Sequence, residues 1–169
     1  AKRELEQALD WSIKVNKAVT DIVKGIPPFP FVRESLEKIG PRADVIVVSA
    51  TPSEALLREW QEHDIAKYVA VIAGQEMGTK AQHLEYATKG RYDKDHVLMV
   101  GDAPGDLQAA RAAGALFYPI VPGKEPESWK RFHNEAFDRF LKGQFAGSYE
   151  KKLITEFENS LPGKPPWEK

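Results

Sequence analysis

The chain reads as an α/β protein built on a doubly wound parallel sheet of the Rossmann-like kind, and three observations carry that expectation. Short apolar runs alternate with helix-period segments, in the order strand, helix, strand, helix, strand, helix, strand, from residue 44 to residue 120. That order lays parallel strands between two helical layers. The runs are rich in Val, Ile, Leu and Met, as strands covered on both faces are. The run 97–100 flows directly into Gly101-Asp102 and then Pro104, which reads as strand end, tight turn and helix start in succession.

The elements follow in order. Over residues 2–24 the apolar positions Leu5, Leu9, Ile13, Val15, Val19, Ile22 and Val23 recur mostly at steps of three or four, so one long amphipathic helix is expected, closed by Gly25, with Asp10 solvated inside it. The link GIPPFP cannot continue a helix and sets a boundary near Pro27, while Pro30 suits the first turn of a short helix over 31–39, closed by Gly40. DVIVVS, 44–49, is the first strand. Thr51-Pro52-Ser53-Glu54 then predicts a capping box, with proline at the first helical position, for a helix running to about residue 63.

A second strand is expected at 69–73, then Gly74, Gly78 and a helix over 80–88. The third strand is 97–100, its helix starts near Pro104, and 115–120 forms the fourth before the turn at Pro122-Gly123. Beyond residue 125 the segments SWKRFHNEAFDRFL and SYEKKLITEFENSL read as two amphipathic helices ending in the loose tail PGKPPWEK. Trp129, Phe132, Phe137, Phe140 and Phe145 fall at intervals that suit packing to the chain's own core.

Composition bounds the function. At 169 residues the chain fits one domain. Lys and Arg number 24 against 25 Asp and Glu, a formal net charge of -1, so nothing points to nucleic acid or an anionic membrane as partner. There is no cysteine, which excludes disulfides, thiolate metal sites and cysteine catalysis. No apolar run approaches the roughly 20 residues that span a bilayer, and the charged opening AKRELEQ lacks the core of a signal peptide. A soluble, cytoplasmic protein is the expectation, with oligomeric state open.

Four positions carry chemistry. Asp102 falls at the carboxyl end of a strand and Asp106 about one helical turn later, so both carboxylates can face the crevice where open α/β sheets bind ligands. They are hard oxygen ligands of the kind magnesium accepts. Ser49 ends its strand just before a helix, so its hydroxyl and the backbone N–H groups of Ala50 and its neighbours can cradle an anion at the helix's positive end. Lys80 opens another helix after GQEMGTK and can reach the same crevice as a point charge. Taken singly, the two Asp read as a helix cap plus a solvated side chain, the serine as part of a turn and the lysine as surface charge; the order of all four is what points to a phosphate site. His63, His83, His96 and His133 share no metal-binding spacing, and neither a dinucleotide Gly pattern nor a Walker loop occurs.

That order resembles the haloacid dehalogenase-like superfamily of phosphohydrolases. DVIVVSAT is similar to its second motif, the lysine of MGTKAQHLEYA to its third and VLMVGDAPGD to its fourth, over a likeness running from about Gly25 to Pro122. The resemblance implies that Ser49, with Ala50, binds the phosphoryl group, that Lys80 neutralises it together with the nucleophile, and that Asp102 and Asp106 hold or orient Mg2+. It further implies a division into residues 1–24 as the remnant of a cap domain, 25–123 as the core and 124–169 as a helical extension of that core. The family's first motif, an apolar strand ending in Asp-x-Asp, has no match here; Leu9-Asp10-Trp11-Ser12 lacks the second Asp and lies in a helical pattern.

By resemblance that strand is the centre of the sheet and lies outside the sequence given, so its loss leaves a slot of unpaired backbone groups. The implied activity is hydrolysis of a small phosphorylated metabolite through an aspartyl-phosphate, with little turnover from these residues alone. The alternative is a non-catalytic phosphate- or metal-binding regulatory protein on the same scaffold. A receiver-like signalling domain fits less well, because there the lysine follows a later strand than the acidic pair, whereas Lys80 precedes Asp102.

Overall fold

Four short apolar segments form strands that pair two by two: β1 (Ile46–Val48) with β2 (Val71–Ala73), and β3 (Leu98–Gly101) with β4 (Leu116–Pro119). Both pairings are parallel, in the registers Ile46 to Val71 and Leu98 to Leu116. The structure is a computed structural model that describes residues 2–22 and 25–163. Val23, Lys24, the Val19 side chain and tail residues 164–169 lie outside the described residues. Three of the strands are two or three residues shorter than their apolar runs, while β3 keeps its length and is shifted by one residue onto Gly101.

The helices alternate with the strands as expected: α1 (Lys2–Ile22), α2 (Val32–Ile39), α3 (Ser53–Glu62), α4 (Lys80–Thr88) and α5 (Pro104–Ala113). Three more follow β4, namely α6 (Glu125–Arg131), α7 (Phe137–Leu141) and α8 (Ser148–Ser160), with a π-helical turn at Phe132–Ala136 joining α6 to α7. Because side chains alternate across a strand, β3 and β4 feed two cores. On one face Met99 and Phe117 pack with Leu84, Leu107, Ala110 and Phe157. On the other, Tyr118 and Ile120 pack with Phe132, Phe137, Phe145 and Leu153, with Leu98 and Val100 against them. This is a doubly wound arrangement, and the aromatic residues after residue 125 are packing residues, as their spacing implies. Tyr118 donates to the Ser128 carbonyl at 2.6 Å, and burial pushes its phenol above the usual tyrosine range.

The free edge of β4 is closed, whereas the free edges of β1 and β3 are not. On β4 the outward N–H of Phe117 donates to Glu150 Oε1 at 2.9 Å, and Pro119 has no N–H to leave unpaired. On β1 the groups facing β2 belong to Val45 and Ser49: the Val45 carbonyl accepts from Ala70 N at 2.8 Å and Ser49 N donates to the Ala73 carbonyl at 3.0 Å. Alternation therefore turns Ile46 and Val48 to the opposite edge. On β3 the carbonyls of Val97 and Gly101 accept from Leu116 and Ile120 at 2.9 and 2.8 Å, which turns Leu98 and Val100 away from β4. Among the described residues no strand pairs with these two edges. Yet Val48 packs against the cluster that contains Met99, so β1 lies against the same core as β3.

Two expectations are corrected. The capping box at Thr51 does not form: Pro52 is the N-cap residue, Ser53 the first helical residue, and no side chain of the N-cap serves the helix. The short helix after GIPPFP starts at Val32 instead of within its first turn at Pro30, because Phe31 adopts a left-handed backbone at φ 71. The long first helix forms, but Leu5, Leu9, Trp11, Ile13 and Ile22 on it are 58 to 76 % exposed. Asp10 is solvated as expected, in an exposed pair with Lys14 at 2.7 Å. No helix among the described residues is long and apolar enough to cross a membrane.

Candidate active site

The strongest local structure is built around Asp106, in the first turn of α5. Its side chain is 4 % exposed. One oxygen, Oδ2, accepts from the backbone N–H groups of Asp102 and Ala103, both at 3.2 Å, so the carboxylate folds the 101–103 turn onto the start of its own helix. The other, Oδ1, is ion-paired with Lys80 Nζ, whose side chain is 33 % exposed. Lys80 is held at the first position of α4 by a formed capping box, in which Gln82 N donates to Thr79 Oγ1 at 3.3 Å and Thr79 N to Gln82 Oε1 at 2.9 Å.

Gly101 is the residue that permits this closeness. A Cβ there would lie 2.5 Å from Asp106 Cβ and 2.6 Å from its Oδ2, well inside contact distance. Asp102, by contrast, is exposed, and no hydrogen bond or ion pair to its carboxylate occurs among the described residues. The structure thus joins Lys80, Asp106 and the backbone of Asp102 at the carboxyl end of β3, leaving the Asp102 carboxylate open to solvent.

Ser49 is not hydrogen-bonded to this group. Half-buried at the end of β1, it accepts from Thr51 N through Oγ at 3.1 Å, and it makes no hydrogen bond to Lys80, Asp102 or Asp106. The next residue, Ala50, is exposed. Ser49 follows a strand of one two-stranded sheet and Asp102 a strand of the other. The donor set suits a hard divalent cation beside Asp102, whose oxygens are free. Asp106 Oδ2 is saturated, and Oδ1 retains one lone pair beyond the lysine.

Residues outside the expected set also shape this end of the molecule. The Glu76 carboxylate, in the turn Gln75–Met77, accepts from Ser53 N at 3.1 Å and from Ser53 Oγ at 2.9 Å. The bond from its own backbone N–H, and then those from Ser53, hold its carboxyl below the usual carboxylate range. No spacing in the sequence marks this pair, since 23 residues separate its members. Asp93, Asp95 and His96 bring ligand atoms within 4.8 Å of one another, but all three are exposed and precede β3, at the end away from Asp102. A surface hollow of about 290 Å³ lies between α3 and β2 and includes Ser53, Leu57 and Val71. None of Ser49, Lys80 or Asp102 lines it.

Comparison with known proteins adds one positive finding. The family described as haloacid dehalogenase-like hydrolase matches residues 2–119, a span that takes in Ser49, Lys80, Asp102 and Asp106. No curated protein and no solved structure matches the chain. A match of that extent, over an α/β core with parallel strands, makes the chain a member of the haloacid dehalogenase-like hydrolase family.

Proposed function

We propose that the protein is a magnesium-dependent phosphatase of its family, cleaving a small phosphorylated metabolite through an aspartyl-phosphate. The observation that carries this reading is the linkage of Lys80, Asp106 and the 101–103 turn at the carboxyl end of β3. Such ends are where open α/β sheets bind their ligands. Lys80 supplies a compact positive charge, and its pairing with Asp106 restricts where that charge can stand. Asp102 holds the cation through its solvent-facing oxygens. Bound there, magnesium supplies positive charge against the phosphoryl oxygens.

The attacking aspartate belongs to a parallel strand seated between β1 and β3. A strand there takes up the backbone groups of Ile46, Val48, Leu98 and Val100, and it ends between Ser49 and Asp102. Its carboxylate oxygen bonds to phosphorus as the bond to the leaving oxygen breaks; water then attacks phosphorus and the aspartate departs with its electron pair. The Ser49 hydroxyl and the Ala50 N–H donate to the phosphoryl oxygens throughout.

The test is hydrolysis of a generic aryl phosphate by the complete protein with magnesium, alongside binding of inorganic phosphate. Turnover that needs magnesium and is lost in Lys80→Ala is expected. A correctly folded complete protein that binds phosphate without turning over any ester is a binding protein, and the enzymatic reading is then wrong.

A further inference from the structure

The turn that precedes Lys80 is stitched to the turn that follows Ser49. Four hydrogen bonds cross between them: Gly74 N to Ser53 Oγ at 3.2 Å, Gln75 N to the Thr51 carbonyl at 3.1 Å, and both the N–H and the hydroxyl of Ser53 to Glu76 Oε2 at 3.1 and 2.9 Å. The Ser53 hydroxyl is thereby used in both directions, accepting from one turn residue and donating to another. Ser53 is the first residue of α3, where N–H groups have no partner within the helix and a carboxylate is favoured by the helix dipole. Gly74 lets the turns touch: a Cβ there would stand 2.5 Å from both Ser53 N and Ser53 Oγ and 2.7 Å from the Thr51 carbonyl oxygen.

What the stitch connects gives it meaning. Ser49 lies four positions before Ser53, and Lys80 four positions after Glu76. Each turn therefore carries one of the two anion-holding groups, and nothing among the described residues bonds those groups to each other. We propose that Ser53 and Glu76 form a positioning clamp that sets the spacing between Ser49 and Lys80, and so the fit of the site to a phosphoryl group. The inference rests on the functional reading above. Neither residue touches substrate; both act through the turns they join.

The experiment is a titration of the complete protein, magnesium present, with inorganic phosphate by calorimetry. The variants are Ser53→Ala, Glu76→Ala, the two combined, Glu76→Gln and, as control, Lys80→Ala. Each alanine variant is expected to weaken phosphate binding about tenfold, the scale on which one charge-assisted contact alters affinity. The double variant should lose no more than either single one, because one device is being removed twice. Glu76→Gln keeps an oxygen for both Ser53 donors and should stay within about threefold of wild type.

A lower melting temperature with phosphate affinity unchanged in both alanine variants marks a purely structural contact and overturns the clamp, while loss of binding in Lys80→Ala leaves the site itself standing. If Lys80→Ala also binds like wild type, the site reading falls and takes the clamp with it. Should Glu76→Ala not fold, Ser53→Ala carries the same comparison. There, amide exchange at Gly74 and Gln75 should quicken while Ile120, whose N–H donates to the Gly101 carbonyl just past β4, stays protected. Equal exchange at all three refutes the clamp.

Discussion

Replacing Gly101 by alanine tests the geometry on which the candidate site depends. The added Cβ would meet Asp106 at 2.5 Å from Cβ, 2.6 Å from Oδ2 and 2.7 Å from Cγ. The first of these is fixed to the α5 backbone, so rotating the aspartate cannot relieve it. The end of β3 must instead part from the start of α5 by roughly 1 Å, and overpacking of this kind costs about 1–3 kcal/mol. The shift also pulls Oδ2 from the N–H groups of Asp102 and Ala103. After partial rehydration that loss adds about 1–2 kcal/mol. A total of roughly 2–5 kcal/mol lowers the melting temperature of a domain this size by about 5–20 °C.

Thermal unfolding followed by circular dichroism reads the shift, and a double-mutant cycle with Lys80→Ala reads its route. If the methyl acts through Asp106, Lys80→Ala should cost less in the Gly101→Ala background than in wild type. Gly105→Ala is the control, since no heavy atom lies within 4 Å of the Cβ it would add; in the first turn of α5 it should be neutral or mildly stabilising. A drop below about 2 °C for Gly101→Ala, or strict additivity with Lys80→Ala, would refute the reasoning.

Two further outcomes follow from contrasts in burial and charge. Asp102→Asn alters an exposed carboxylate that has no partner among the described residues, so stability should stay within about 0.5 kcal/mol of wild type, while the rise in melting temperature produced by magnesium with phosphate disappears; a preserved rise would remove Asp102 from the cation site. The second outcome concerns acid. Asp138 is held below the usual carboxylate range chiefly by the hydrogen bond from Lys38, at 2.8 Å. Glu76 is held low by its own backbone N–H and by Ser53. A carboxylate depressed on folding contributes stability that is fully present above its unfolded pKa and fades as pH falls through the folded one. Melting temperature should therefore hold from neutrality to about pH 4 and fall below it, with Asp138→Asn flattening that fall. An unchanged acid limb in the variant would show that the Lys38 contact contributes nothing.

How much of this was legible in the chain depends on sequence distance. The helix Lys80–Thr88 is read at its observed limits from the glycines before it, and the structure adds a capping box of Thr79 and Gln82 at its start. The apolar runs mark all four strands, but strand ends are set by partners, so 44–49 shrinks to Ile46–Val48. Thr51 carries the local signature of a helix cap and loses to tertiary contacts. Its carbonyl is taken by Gln75 N, and the first N–H of α3 by Glu76. Asp106 reads from its spacing as a metal ligand; the structure gives it a second duty, folding the Asp102 turn, that no spacing rule encodes. The contacts of Glu76 and Gly74 were invisible because they arise only when two turns meet across the ends of β1 and β2.

The edges of the two sheets carry the same logic further. An edge strand offers unpaired N–H and C=O groups to any passing chain, and proteins usually blunt it. The free edge of β4 is blunted twice, by Glu150 and by Pro119. The free edge of β3 has neither device. Leu98 and Val100 turn their backbone groups away from β4, as Ile46 and Val48 turn theirs away from β2, and all four are half-buried, apolar residues. The fold closes one side of β3–β4 with a glutamate and a proline, and leaves the other side of β3 without a strand partner among the described residues. A strand pairing there would bring the proposed nucleophile to the carboxyl end of β3, beside Asp102.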